Sequence, residues 1–182
     1  MKISLQWDKP KPVFLKIAHE DADAAQRLSR RLSQSLDRVP PGNEIIVLCV
    51  GTDRSTGDAL GPLVGTALTR HMTGFPVYGT LQNPVHAMNL RETMDRIRAI
   101  HHEPYLIAVD ACLGHTSSVG LIQIGDGPVK PGAGVNKDLP PVGDVHITGI
   151  VNVGGFMEYF VLQNTRLSLV VDMAEVIADA IR

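Results

Sequence analysis

Aromatic residues are scarce in this chain, at 4% of its 182 residues, and neither sign of charge is in large excess, with a formal net charge of -2. Few aromatic rings are available for stacking on bases, and the balanced charge offers no basic surface for a phosphate backbone. We therefore expect no nucleic-acid partner. Hydrophobic residues at 44% and charged residues at 20% are instead typical of a globular domain.

Cysteines and long apolar segments are also rare. The two cysteines, Cys49 and Cys112, fall inside or just after apolar runs, which indicates reduced thiols in the cytoplasm rather than a disulfide framework. No apolar run approaches the ~20 residues of a membrane-spanning helix. Residues 1–20 mix charges and prolines and have no signal-peptide core. We therefore predict a cytoplasmic protein with no membrane partner.

Apolar strands alternate with amphipathic helices along the chain. Strands are predicted at residues 45–50, 75–78, 105–109, 119–124 and 145–151, and helices at residues 21–38, 59–71, from Asn83–Pro84 onward, and 167–181. Residues 1–19 form either an edge strand or a mobile N-terminus. This order predicts a single α/β domain over residues 1–182. We expect three layers, in which a mostly parallel central sheet lies between two layers of helices.

Residues 125–144 interrupt this alternation, because they are rich in glycine and proline and have no apolar periodicity. A connection of this length in a compact domain is usually functional or mobile. We expect it to be more mobile than the sheet and to lie over the crevice at the carboxyl ends of the strands.

Two acidic residues come after the most apolar strands. Residues 45–50 lead through Gly51 and a small polar loop to Asp58, where a helix is predicted to begin, and residues 105–109 lead directly to Asp110. Ligands of open α/β sheets bind in the crevice beyond the carboxyl ends of the strands. We therefore predict that Asp58 and Asp110 face each other across one crevice.

Both acids also have a structural interpretation. Aspartate is a favoured N-cap, so capping and catalysis explain the spacing of Asp58 equally well. Asp110 has no evident helix to cap, and an acid that closes an apolar strand is costly to desolvate unless something binds it. Two carboxyls at close range share a proton, and such a pair can activate water and protonate a leaving amine.

The runs Gly-Asp-Ala-Leu-Gly-Pro at residues 57–62 and Val-Asp-Ala at residues 109–111 resemble the bacterial spore germination protease family. The chain is most similar to an uncharacterised family of sporulation proteins with that core fold, which the hydrogenase maturation proteases share more distantly. The resemblance implies a peptidase-like hydrolase of the sporulating cell or spore interior, with Asp58 and Asp110 as catalytic residues. The alternative is a non-catalytic spore or sporulation protein of the same fold that binds a protein partner.

The resemblance extends to further site residues. A glycine-rich segment at residues 131–137 resembles one in the protease, and it supplies Gly132, Gly134 and Asn136 as candidate substrate-binding residues. The loop after residues 45–50 supplies Asp53 and Thr56 as further candidates, and Asp53 is a departure from the family's pattern, which has an asparagine after the strand. We expect a protein or peptide as substrate or partner, and homo-oligomerisation stays open.

No cofactor is predicted, but a divalent cation is the alternative to a metal-free acid pair. Hydrogenase maturation proteases hold nickel with two acids and a histidine, which implies that His146 would join Asp58 and Asp110. From the residues alone, a single strand histidine is more often a hydrogen-bonded core or edge residue.

The remaining histidines and Cys112 have simpler interpretations. His101, His102 and His115 are predicted to be solvent-facing turn residues. Cys112 could act as a nucleophile with His115 or His146, but a cysteine beside a buried strand is more commonly inert.

Overall fold

The computed structural model describes residues 14–71, 74–131 and 139–182. Its strands are Leu15–Ala18 (β1), Ile45–Cys49 (β2), Val77–Tyr78 (β3), Tyr105–Gly114 (β4), Leu121–Asp126 (β5) and Val145–Val153 (β6). Its helices are Ala24–Leu36 (α1), Leu60–Arg70 (α2), Leu90–Ile100 (α3), Glu158–Gln163 (α4) and Leu167–Ile181 (α5). In this part of the chain the strands form one sheet in the order β1-β5-β6-β4-β2-β3.

Helices cover both faces of a mostly parallel sheet, which confirms the predicted three-layer fold. β3, β2, β4 and β6 are parallel neighbours, whereas β5 runs antiparallel to both β6 and β1. One face packs against α1, α2 and α5 through residues such as Leu28, Val64 and Ile177. The other face packs against α3 through Leu90 and Ile97. Because both faces are covered, the central strands are continuous apolar runs.

β4 is longer than the predicted strand at residues 105–109. It continues to Gly114 because the added residues pair with β6, beginning with Asp110 opposite Thr148 and passing a register shift between Cys112 and Leu113. Asp110 therefore lies within a strand instead of directly after one.

The helix predicted to begin at Asn83–Pro84 begins at Leu90, so that boundary is wrong. Val85 forms a parallel bridge with Val50 and is buried against the α3 side of the sheet. The Asn89 side chain then closes a turn, since its Oδ1 accepts the His86 N–H at 2.8 Å and its Nδ2 donates to the Pro84 carbonyl at 3.0 Å.

β1 lies at the edge of the sheet, which confirms the edge-strand prediction, and residues 1–13 lie outside the described residues. His102 and His115 are exposed as predicted, but the prediction for His101 is wrong. The His101 side chain is 9% exposed, with Nδ1 2.8 Å from Glu44 Oε2 and Nε2 2.7 Å from the Tyr78 hydroxyl. The end of α3 inserts this ring between the neighbouring elements.

The connection after β5 begins later than predicted, because residues 125 and 126 belong to that strand. Its two described arms pair with each other through Val129 and Val142, and both side chains pack against the α3-side core. The arms leave the sheet beside Ile107, three residues before Asp110, or roughly 10 Å along the strand. Residues 132–138 lie outside the described residues, so the predicted coverage of the crevice and the mobility stay predictions.

None of the helices in the described residues is long and apolar enough to cross a membrane.

Candidate active site

A tight return of the chain carries Asp58 over the carboxyl end of β2. Gly51 has a φ of +148°, and the Thr52 N–H donates to the Asp58 carbonyl at 3.0 Å. A Cβ on Gly51 would lie 2.0 Å from that carbonyl oxygen, so only glycine fits. Asp58 itself is the middle residue of a one-turn 3-10 helix, Gly57–Ala59, which leads into α2.

Gly61 lets the start of α2 lie directly on the end of β2. A Cβ at this position would be 2.1 Å from the Val50 carbonyl oxygen. The glycine in the Gly-Asp-Ala-Leu-Gly-Pro run therefore has a packing role, and that close approach fixes where Asp58 lies relative to the strand end.

Asp58 does not cap α2. The N-cap residue of that helix is Ala59, and neither α2 nor the turn before it has a side-chain cap hydrogen bond. Burial raises the pKa of the Asp58 carboxyl, and the nearby Ser55 hydroxyl acts in the opposite direction. The structural explanation that competed with a chemical role for Asp58 is therefore unsupported.

Asp110 is a buried carboxyl in the middle of β4, with 7% of the residue exposed. Its Oδ1 accepts the Ala111 N–H at 2.9 Å, and no ion pair among the described residues involves it. Burial raises its pKa well above the usual range, the Ala111 N–H lowers it, and the charge of Asp58 raises it again. The charge of Asp58 therefore acts on the Asp110 carboxyl, whereas the shared crevice and the catalytic roles of the two acids stay predictions.

Ser55 is a site residue that sequence reasoning did not single out. It is 6% exposed, and its Oγ has no hydrogen bond of regular geometry in the described part of the chain. The hydroxyl nevertheless lies near enough to Asp58 to lower the pKa of that carboxyl. A buried hydroxyl without a partner costs about 1–3 kcal/mol, so the neighbouring Asp58 carboxylate is the acceptor that offsets this cost. The one signal in the sequence was the abundance of hydroxyl residues at 52–56.

Cys112 is an unreactive neighbour of Asp110. Burial raises the pKa of its thiol to about 11, although a hydrogen bond with Thr148 lowers it. A thiol with such a pKa is almost entirely protonated at neutral pH, and the thiolate is the nucleophilic form. The inert interpretation of Cys112 is therefore the better supported one.

His146 has partners of its own on the α3 side of the sheet. Its Nδ1 is 2.8 Å from the Gly127 carbonyl oxygen, and its ring lies 6.0 Å from that of Phe14. It pairs with Ala108, two positions along β4 from Asp110. No group of three His, Cys, Asp or Glu side chains suited to a metal ion occurs among residues 14–71, 74–131 and 139–182. The structure therefore does not assemble Asp58, Asp110 and His146 into a cation site.

The predicted substrate-binding residues divide into two groups. Asp53 is exposed and Thr56 is partly exposed, and both precede Asp58 in the loop after β2. Thr56 supports the turn, because its carbonyl accepts the Ala59 N–H at 3.2 Å. Gly132, Gly134 and Asn136 lie outside the described residues.

A cavity of about 1040 Å³ lies away from the acids, between α2, β3 and α3. Its lining includes Thr66, Arg70, Asn89 and Arg96 but neither Asp58 nor Asp110. We locate the candidate chemistry at the acids in spite of the cavity's size, since buried carboxyls with perturbed pKa values mark functional sites more directly than volume does.

Comparison with known proteins gives a family and two similar chains. The profile of the family described as "Protein of unknown function (DUF1256)" matches residues 16–180. The uncharacterized protein YyaC of Bacillus subtilis (strain 168) is 60% identical over 166 residues, which are 91% of this chain and 80% of YyaC. Among solved structures, the NiFe-hydrogenase maturation protease HycI from Thermococcus kodakarensis KOD1 aligns with 80% of this chain and 96% of its own, at 17% identity and a TM-score of 0.43.

Proposed function

The chain belongs to the DUF1256 family of proteins of unknown function, and we propose that it is a peptidase-like hydrolase in which Asp58 and Asp110 activate water. The observation that carries the proposal is the buried Asp110 carboxyl, whose pKa is raised by burial and by Asp58 and which pairs with no cation in the described residues. Burying such a group disfavours the folded state, and a catalytic role would explain why it is there.

The two environments suggest how one proton is divided between the acids. Asp110 is the more deeply buried, so it holds the proton, whereas the Ser55 hydroxyl favours the ionised form of Asp58. Ionised Asp58 takes a proton from water as the water oxygen attacks a peptide carbonyl carbon, and Asp110 donates its proton to the carbonyl oxygen. The C–N bond then breaks, and the amine leaves with the proton that Asp58 received. One hydroxyl of the diol intermediate returns a proton to Asp110 as the carbonyl re-forms, which restores both acids to their starting states. Because the pair is coupled, its titration belongs to both residues together.

The proposal includes a substrate class and a setting. The runs at residues 57–62 and 109–111 resemble those of the spore germination proteases, so we assign the hydrolase to the sporulating cell or spore interior, with a protein or peptide substrate. Immunoblots of vegetative cells, sporulating cells and purified spores test the setting separately. Equal amounts of the protein in all three samples would contradict it.

The alternative is a non-catalytic protein of the same fold that binds a protein partner. Exposed apolar side chains at residues 153–167 favour a binding surface, whereas the buried acids favour chemistry. The two functions predict different results for a substitution at the acids, because only the hydrolase depends on their protons.

A cleavage assay distinguishes them. The purified chain is incubated with proteins extracted from spores, at acidic and neutral pH, with a chelator or with added divalent cations. We expect fragments from the unmodified chain, none from Asp110→Asn or Asp58→Asn, and unchanged cleavage by Asp95→Asn, whose carboxyl is exposed on α3. Absence of cleavage by the unmodified chain under every condition, or full cleavage by Asp58→Asn, would overturn the hydrolase.

A further inference from the structure

An exposed apolar surface surrounds α4. Six of the nine large hydrophobic side chains that are exposed in the described residues fall within residues 153–167, which we call the α4 surface. They are Val153, Phe156, Met157, Tyr159, Phe160 and Leu167, with exposed fractions from 37% to 80%. The whole chain has only four phenylalanines and three tyrosines, and three of these seven residues lie here. The exposed large apolar side chains of the described residues are therefore concentrated in one segment of the chain.

The α4 surface is large for a monomer. A phenylalanine or tyrosine side chain offers roughly 200 Å² for burial, and the three in this surface are more than half exposed. With the aliphatic members, the surface presents roughly 600 Å² of apolar area, at the upper limit of the largest patch on typical monomeric proteins.

Local contacts hold this surface in place. Leu162 is buried beneath α4, and the Asn152 Nδ2 donates to the Val161 carbonyl at 3.3 Å and to Thr165 Oγ1 at 3.2 Å. Met157 is kept in the left-handed region, with a φ of +48°, which a side chain other than glycine rarely adopts. The exposed aromatic side chains are therefore part of a segment whose backbone is held in place by these contacts.

The same segment is nearly free of charge. Glu158 is the one charged residue between positions 153 and 163, and its Oε1 accepts the Gly155 N–H at 3.2 Å within the segment. Depletion of charge together with enrichment of aromatic residues and methionine is the composition of homodimer interface cores. Arg166 is the other charged residue of the α4 surface, so few charges of like sign can oppose each other when this surface meets its own copy.

We propose that a second copy of this chain covers the α4 surface, so that the protein is a two-fold symmetric dimer. Two such surfaces bury roughly 1,200 Å² in total, which exceeds the ~1,000 Å² expected of a specific interface. α4 packs against the turn that carries Asp58, since a Cβ on Gly57 would lie 2.7 Å from Leu162 Cδ2. The partner copy in this dimer therefore lies near the turn that carries Asp58, but the dimer does not depend on any catalytic activity.

Sedimentation velocity of the full chain over a range of concentrations tests the proposal. We expect a species of twice 19.7 kDa that dissociates on dilution. The double variant Phe156→Ser/Phe160→Ser should weaken the dimer about a hundredfold or more, since truncated aromatic residues are lost from both copies. Ile100→Ser is the matched control, because Ile100 is 63% exposed at the end of α3, and this variant should dimerise like the unmodified chain.

Circular dichroism and thermal unfolding verify that each variant is folded. If the double variant is unstable, Tyr159→Arg replaces it, because this change sets like charges against each other across the two-fold axis and should also give monomers. A monomeric unmodified chain at every concentration would overturn the proposal. A dimer that neither Phe156→Ser/Phe160→Ser nor Tyr159→Arg weakens would overturn it as well. Binding of a monomer to anionic lipid vesicles through the α4 surface would likewise overturn it.

Discussion

Replacing Asp110 by asparagine should stabilise the protein at neutral pH while removing the proposed chemistry. The asparagine keeps an oxygen that can accept the Ala111 N–H, and it removes a carboxyl whose pKa burial raises well above its usual range. A group that is harder to ionise in the folded protein than in the unfolded chain makes folding less favourable as it ionises.

The sign of the pH dependence follows from the two pKa values. Below about pH 4, the ordinary pKa of an aspartate, the carboxyl is protonated in both states and has no net effect. As pH rises from there towards the raised folded pKa, the unfolded chain releases its proton first, and the folded state loses about 1.4 kcal/mol per pH unit. Above the folded pKa the loss is constant. Relative to neutral pH, the folded state is thus more stable in acid, and it loses this advantage as pH rises through the folded pKa.

The environment of Asp110 sets the expected difference in unfolding free energy between Asp110→Asn and the unmodified chain. The new amide of Asp110→Asn brings donors without partners, which costs about 1 kcal/mol at every pH. We expect this variant to be slightly less stable than the unmodified chain at pH 3 and about 1–3 kcal/mol more stable at pH 7. For a chain of this size that gain corresponds to an increase of roughly 2–10 °C in Tm.

Urea unfolding of both proteins between pH 3 and pH 8 measures the difference directly. Curves of unfolding free energy that cross as pH rises would agree with the expectation. The reasoning from burial would be refuted if the stability difference between Asp110→Asn and the unmodified chain were the same at every pH. It would also be refuted if this difference became less favourable to Asp110→Asn between pH 3 and pH 7.

Two further predictions concern the residues around the acids. Gly61→Ala should destabilise the protein by about 2 kcal/mol or more in thermal unfolding, because its Cβ would lie 2.1 Å from the Val50 carbonyl oxygen. Gly74→Ala, whose Cβ meets nothing within 4 Å, is the control and should change stability by less than about 0.5 kcal/mol. Cys112 should react slowly with iodoacetamide at neutral pH and faster as pH approaches 11, because burial raises the pKa of its thiol to about 11. Rapid alkylation of Cys112 in the folded protein at pH 7 would contradict that pKa.

Local sequence patterns were sufficient for much of the fold. α5 lies where its apolar stripe predicted, and β2 ends where the apolar run at residues 45–50 gives way to Gly51. These elements are predictable because the apolar pattern within each segment identifies both the type of element and its buried residues. The two-sided cover of the sheet follows from the same continuous apolar runs.

The errors arose where a distant partner decides the local structure. β4 extends past Asp110 because β6 pairs with it, and the start of α3 is delayed because Val85 bridges to Val50. His101 is enclosed by Glu44 and Tyr78, neither of which is near it in sequence. Long-range contacts of this kind leave no periodic signal in the segment itself.

The candidate site was predicted in part. The strand–loop patterns pointed to Asp58 and Asp110, but the burial of Ser55 and the separate partners of His146 depend on three-dimensional packing. Spacing alone also left capping and chemistry equal for Asp58. The structure shows no side-chain cap at α2, and the chemical role of Asp58 stays a prediction.

The central claim is that Asp58 and Asp110 act as a coupled pair, and NMR titration of the Asp110 carboxyl carbon tests it most directly. In the unmodified chain we expect the pKa of Asp110 to lie well above the usual value for an aspartate, since burial and the charge of Asp58 both raise it. Asp58→Asn should lower that pKa, whereas Asp53→Asn, which removes an exposed charge from the same loop, should leave it unchanged. An Asp110 pKa that is the same in the unmodified chain and in Asp58→Asn would contradict the pairing.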